Sequence, residues 1–200
     1  DAATMNMAAA EQSLKTHYGH GVGVMLKGSN QSTVVGNGTL NNCMAYTCAA
    51  CDARMAGAPI SVMSNSGSGN QGIAATVPVA VYARDHKIDH ETFVRALALS
   101  NLTAIYIKQS LGRLSALCGC IVASTGASCG ITYMMGGTFT QICYAVKNMI
   151  ANLTGMICDG AKPSCSLKIS SGVATAMLSA MLAMQDRSVS QLEGIIDKDV

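Results

Sequence analysis

Tryptophan is absent from this chain, and aromatic residues make up only 4% of its 200 positions. A core built on stacked aromatic rings is therefore excluded. Bulk must come from Ala, Val, Leu, Ile and 13 Met, the last suited to filling irregular gaps. Charge is equally scarce, at 12% of residues against about 25% in an ordinary soluble domain. So few charges cannot cover a large free surface, so part of the surface is expected to be hidden by another domain or a second copy. The 13 Lys and Arg are scattered, with a net charge of +2. The basic stripe of a nucleic-acid binder is missing, and no nucleic-acid partner is expected. The chain opens at Asp1 without a secretory leader. Its start within a helical pattern is expected of an excised or processed piece of a longer protein.

Residues 114–146 carry no charge, a stretch longer than the roughly 20 residues that span a bilayer. It is broken by Gly119, Gly126, Gly130, Gly136 and Gly137 and diluted by Ser and Thr. The preferred reading is buried core helices with no membrane partner. Gly126 and Gly130, four residues apart, suit a close helix contact. Nine cysteines are many for this length. An odd count without a leader argues against a disulfide scaffold and for a reducing, cytoplasmic setting. The thiols are then inert and buried, a redox pair, or metal or cluster ligands.

The pattern predicts a helix over residues 1–18, ended by Gly19, Gly21 and Gly23. Residues 22–40 are rich in Gly and Asn, with β-like pieces at 24–26 and 33–35. A helix over 41–55 leads through 59–63 to a loop at 64–69. The next helix, 70–83, is expected to kink or turn at Pro78. Asp89 is a fitting N-cap for a helix over 90–110, stopped by Gly112. Further helices are expected at 119–129, 138–154 and 164–184, and a last short one from the capping-box spacing Ser188-x-x-Gln191. The expected fold class is all-α, a mainly helical single domain with at most short β pieces near residues 22–40.

Gly67-Ser-Gly-Asn-Gln-Gly72 fits the dinucleotide pattern G-x-G-x-x-G, but no βαβ unit surrounds it. A flexible loop and an anion nest at a helix N-terminus compete, and the nest is preferred. Asn65, Ser66, Gly67, Ser68, Gly69, Asn70 and Gln71 are its candidate residues, suited to a carboxylate or phosphate. Cys48 and Cys51 form a C-x-x-C that reads as two core thiols one turn apart. Cys43, Cys129 and Cys143 sit among apolar and small residues and read as structural. Cys158 and Cys165 differ, since they bracket a turn holding Asp159, Gly160, Lys162 and Pro163. Such a loop can aim two sulfurs at one point, as metal or cluster ligation needs. Zinc competes, but His17, His20, His86 and His90 all lie far upstream.

Three motifs, in this order, carry a family resemblance. They are Asp52–Gly57 with the Gly-rich stretch after it, Cys118-Gly119-Cys120 followed by Gly126 and Gly130, and Cys158–Cys165 followed by Lys168. Together they resemble the helical α domain of the iron–sulfur L-serine dehydratase and L-cysteine desulfidase family, its desulfidase-like branch in particular. The resemblance implies a lyase that β-eliminates hydrogen sulfide or water from L-cysteine or L-serine, giving pyruvate and ammonia. It implies a 4Fe–4S cluster on Cys118, Cys158 and Cys165, with Cys120 the neighbour most easily mistaken for Cys118. The substrate carboxylate would sit at residues 65–71, with Lys162 and Lys168 adding positive charge. The family's proposed base, a cysteine, belongs to an N-terminal portion not contained here. Serine dehydratases can end in a cluster-reaching cysteine, whereas this chain ends Lys198-Asp199-Val200. The expected partners are a small amino-acid substrate, the missing N-terminal domain and a possible homo-oligomer. The alternatives are a non-catalytic metal- or cluster-binding module, and a helical interaction module with buried thiols.

Overall fold

The computed structural model describes residues 1–28, 32–112 and 115–200. Leu114, the start of the uncharged stretch, and residues 29–31 of the Gly- and Asn-rich segment lie outside them. Helices follow one another as α1 (Ala2–Lys15), α2 (Val22–Lys27), α3 (Ser32–Val35), α4 (Thr39–Met55), α5 (Gly69–Asp85), α6 (His90–Leu111), α7 (Gly119–Met134), α8 (Phe139–Leu153) and α9 (Cys165–Ala183). The fold is all-α. Among the described residues no strand forms, and the only β pairing is two isolated antiparallel bridges.

Helices α4, α5, α7 and α9 make the centre, with α1 and α2 against α4, α6 against α7 and α5, and α8 against α9 and α7. Small residues set these distances. A Cβ on Gly126 would lie 2.1 Å from the Ser100 carbonyl oxygen of α6, and one on Gly130 would lie 2.8 Å from that of Ala96. The four-residue glycine spacing therefore lets α7 seat its backbone on α6. Ser100 Oγ, fully buried, donates to the Ala75 carbonyl at 2.6 Å and ties α6 to α5. Among the described residues one helix, α9, is long and apolar enough to cross a membrane; it packs against α4, α7 and α8.

Two expectations are corrected. The β-like pieces at 24–26 and 33–35 are helical, in α2 and α3. For α2 the reason is tertiary. A Cβ on Gly23 would meet the Ala49 nitrogen at 2.4 Å, so α2 lies directly on α4. The Gly23 N–H also donates to the buried Asp52 carboxylate at 3.0 Å. Burial raises the pKa of that carboxyl against the hydrogen bond. The short helix signalled by Ser188 and Gln191 does not form. Asn148 of α8 accepts the Val189 N–H at 3.0 Å, and Glu193 accepts that of Ser190 at 2.6 Å, so those groups are satisfied in a turn. Helix α5 runs through Pro78 without ending. Asp89 caps α6 as expected, accepting from the Thr92 N–H at 3.0 Å.

Candidate active site

Helix α7 begins where the chain leaves a short extended pairing. Leu117 and Ile157 form an antiparallel bridge. The Cys118 N–H donates to the Met156 carbonyl at 3.1 Å, and the Cys158 N–H to that of Ala116 at 2.7 Å. In such a pairing Cys118 and Cys158 fall on the same face. Cys118 is the N-cap of α7. Cys165 opens α9, with its backbone N–H bonded to the Lys162 carbonyl at 2.9 Å, so the 158–165 turn folds back on itself. All nine cysteines are free thiols.

These three thiols line one pocket of about 200 Å³. The start of α5 lines it too, through Ser68, Asn70 and Gln71. Ser68 is the N-cap of α5 and accepts the Gln71 N–H at 3.4 Å. The first intrahelical bond is Gly72 N–H to the Ser68 carbonyl at 3.1 Å, which leaves the N–H groups of Gly69 and Asn70 ahead of the ladder. Lys168, one turn into α9, lines the pocket as well. Its Nζ donates to the Ile157 carbonyl at 3.0 Å and to Asp159 at 2.5 Å.

The other candidates lie beside this pocket and do not line it. Asn65 and Ser68 exchange both backbone hydrogen bonds around Ser66 and Gly67, whose φ values are 50° and 80°. That is a type I′ turn. It directs Asn65 away, to the side chain of Asn101 on α6 at 2.9 Å, and Ser66 donates to Asn65 at 2.8 Å. Gly69 is covered by Arg54, whose Nε would lie 2.2 Å from a Cβ there. Lys162 is ion-paired with Asp159 at the protein surface. Together Lys162 and Lys168 hold the Asp159 carboxyl well below its usual range.

Sequence reasoning missed two contributors. Arg54 Nη1 donates to Asn70 Oδ1 at 3.0 Å and brings a cation to the start of α5; the signal was available, since only Asp52 and Arg54 are charged in α4. Lys108, from the end of α6, lines the pocket, and nothing in its sequence context marks it.

The electrostatics favour a thiolate at Cys118. A hydrogen bond from the Cys120 thiol holds Cys118 down to about 6, against desolvation, helped by the backbone N–H groups of Cys120 and Ile121 and by Lys168. Cys120, on the pocket wall and 7% exposed, is pushed up by that same hydrogen bond and by burial. Cys51 lies fully buried behind the pocket, close enough to feel the charges of Cys165 and Cys118, and burial raises it. Among the described residues, no three His, Cys, Asp or Glu side chains converge as a single-ion site.

One pocket thus brings together Cys118, Cys158 and Cys165 with Ser68, Asn70 and Gln71 at the start of α5. The family model for the serine dehydratase alpha chain matches residues 1–200, and the chain belongs to that family. It is 64% identical over 200 residues to a UPF0597 protein of Bacteroides thetaiotaomicron, covering 100% of this chain and 47% of the relative. Against a UPF0597 protein of Phocaeicola vulgatus it is 67% identical over 197 residues, covering 98% and 46%. Against one from Clostridioides difficile it is 47% identical over 201 residues, covering 100% and 47%. The chain thus spans about half the length of these relatives. No solved structure matches it.

Proposed function

We propose that this chain is the cluster-holding half of a cytoplasmic lyase that removes hydrogen sulfide or water from L-cysteine or L-serine. The observation that carries the reading is the shared pocket, lined both by Cys118, Cys158 and Cys165 and by Ser68, Asn70 and Gln71 at the start of α5. The donor set fits an iron–sulfur cluster. Thiolate sulfur is what such clusters take, and Cys118 is held low by its neighbours. A cluster is a wider body than one ion, so its ligands need not meet at a point. When bound, it supplies a Lewis-acidic iron for the leaving group.

The chain's own residues bind and orient. The N–H groups at the start of α5, with Arg54 beside them, suit the substrate carboxylate. Lys168 adds positive charge near Cys118 and Cys158. In the reaction the α-proton passes to a base, and the Cβ–S or Cβ–O bond breaks with its electron pair on the leaving atom. The resulting enamine tautomerises and takes up one water to give pyruvate and ammonia. We assign the base to the half of the longer protein outside this chain.

That half also has a place to sit. Helix α6 fully buries only Ala96, Ser100 and Ala104 and leaves Leu102 and Tyr106 about two-thirds exposed. Beside it, an apolar cavity of about 420 Å³ runs between α6, α7, α8 and the C-terminal residues 195–200 and shares Leu117 and Cys118 with the thiol pocket. A segment seated there would stand next to the reacting groups. Pyruvate release from L-cysteine or L-serine by the anaerobically reconstituted full-length protein tests the activity, and turnover of neither overturns it. Tyr106→Asp in the same protein should lower turnover and loosen the contact between halves. Hydrogen exchange on α6 unchanged by the other half would move the docking face elsewhere.

A further inference from the structure

Gln71 has an atom that the carboxylate site cannot use. It is 6% exposed, lines the thiol pocket, and its Oε1 is fully buried with no hydrogen-bond partner. A buried acceptor left unpaired is costly and calls for a donor. A substrate carboxylate has none to offer, whereas a substrate ammonium has three.

The side chain is also held in register with the thiols. A Cβ on Gly119 would lie 2.6 Å from Gln71 Nε2 and 2.8 Å from Cδ. The carboxamide therefore packs against the first residue of α7, next to Cys118. Its own backbone N–H is taken by Ser68, so the α5 start is fixed in place while the side chain crosses to α7.

We propose that Gln71 Oε1 receives the α-ammonium of the amino-acid substrate. The inference rests on the lyase reading above and names its specificity-determining contact. The carboxylate then lies at the start of α5 and the ammonium at Gln71, and the β-carbon substituent turns toward the cysteine wall. Three different attachments on one tetrahedral carbon select one hand of the amino acid.

The test uses the reconstituted full-length protein, with steady-state kinetics and calorimetric binding of three probes. These are L-cysteine, cysteamine (amine, no carboxylate) and 3-mercaptopropionate (carboxylate, no amine). Gln71→Leu should raise KM for L-cysteine and Kd for cysteamine by about ten- to a hundredfold, as expected for losing a hydrogen bond to a charged group. It should leave 3-mercaptopropionate binding nearly unchanged. Gln71→Glu preserves the shape and makes both terminal oxygens acceptors, so cysteamine should bind at least as tightly and 3-mercaptopropionate more weakly. Because this second variant is isosteric, a misfolded leucine variant does not block the test. Loss of 3-mercaptopropionate binding in Gln71→Leu, or loss of cysteamine binding in Gln71→Glu, overturns the assignment while leaving the lyase reading standing. Absence of turnover in the wild type overturns the lyase reading and this inference with it.

Discussion

Cys118 and Cys129 stand at the two ends of one contrast within α7. Cys129 is fully buried in the helix interior, and burial pushes its thiol up to about 12. Cys118 caps the same helix and is held down to about 6 by the Cys120 thiol and the first backbone N–H groups. Cys43 in α4 behaves like Cys129: its Sγ donates to the Pro78 carbonyl at 3.5 Å, and burial raises it to about 12. The difference teaches that position along a helix, not the presence or spacing of cysteine, separates packing thiols from candidate ligands. Free N–H groups and Lys168 stabilise negative charge at the start of α7, and the interior offers nothing comparable.

The contrast breaks most visibly by substitution. In the reconstituted full-length protein, Cys118→Ser, Cys158→Ser or Cys165→Ser should each abolish pyruvate release, while Cys43→Ala and Cys129→Ala should keep it near the wild-type level. Equal loss in both sets would mean that the two environments do not differ in function.

The start and the interior of α7 also separate chemistry from stability. Gly126→Ala drives a Cβ against the Ser100 backbone oxygen, and neither helix can move away cheaply. A loss of about 1–3 kcal/mol in urea unfolding is expected, typical of overpacking. Gly119→Ala meets only the end of the Gln71 side chain, so it should cost less stability and more substrate affinity. A Gly119→Ala protein with wild-type KM would show that the amide position is unimportant.

Two lysines sharpen the pocket side. Lys168 lines the pocket and Lys162 does not, although both pair with Asp159. Lys168→Ala should raise KM by about tenfold, the scale of one charge-assisted contact. Lys162→Ala should leave it almost unchanged.

The smallest effect concerns pH. An unfolded thiol releases its proton near 9, whereas folded Cys43 keeps its proton to about 12. Between those values the unfolded chain binds fewer protons, so stability is full below pH 9 and falls as pH rises toward 12. The slope is up to about 1.4 kcal/mol per pH unit for each such thiol. Urea unfolding on either side of the unfolded thiol's pKa should show it, and Cys43→Ala should reduce it.

Much of this was legible in the sequence. Asp89 and Gly112 bound α6 because a capping carboxylate and a terminal glycine act locally. Cys158 and Cys165 stood out because no helix interior contains Gly, Pro, an acid and a base together. What failed depended on contacts far along the chain. The β-like run at 24–26 is helical because Gly23 meets Ala49 of α4. Ser188–Gln191 stays a turn because Asn148 takes the Val189 N–H. Within the glycine-rich loop, composition could not separate Ser68, Asn70 and Gln71, which face the thiols, from Asn65, which the type I′ turn sends to Asn101. That division depends on backbone handedness at Ser66 and Gly67 and on a partner in α6.

Iron content after anaerobic reconstitution of the full-length protein, measured for two triple variants, tests the cluster assignment most directly. Cys43/Cys48/Cys129→Ser should retain about four irons per chain with a broad visible absorbance near roughly 400 nm, as thiolate-bound clusters give. Cys118/Cys158/Cys165→Ser should hold almost none and be colourless. Iron retained in the second variant, or lost equally in both, would contradict the assignment of the cluster to the pocket at the start of α7.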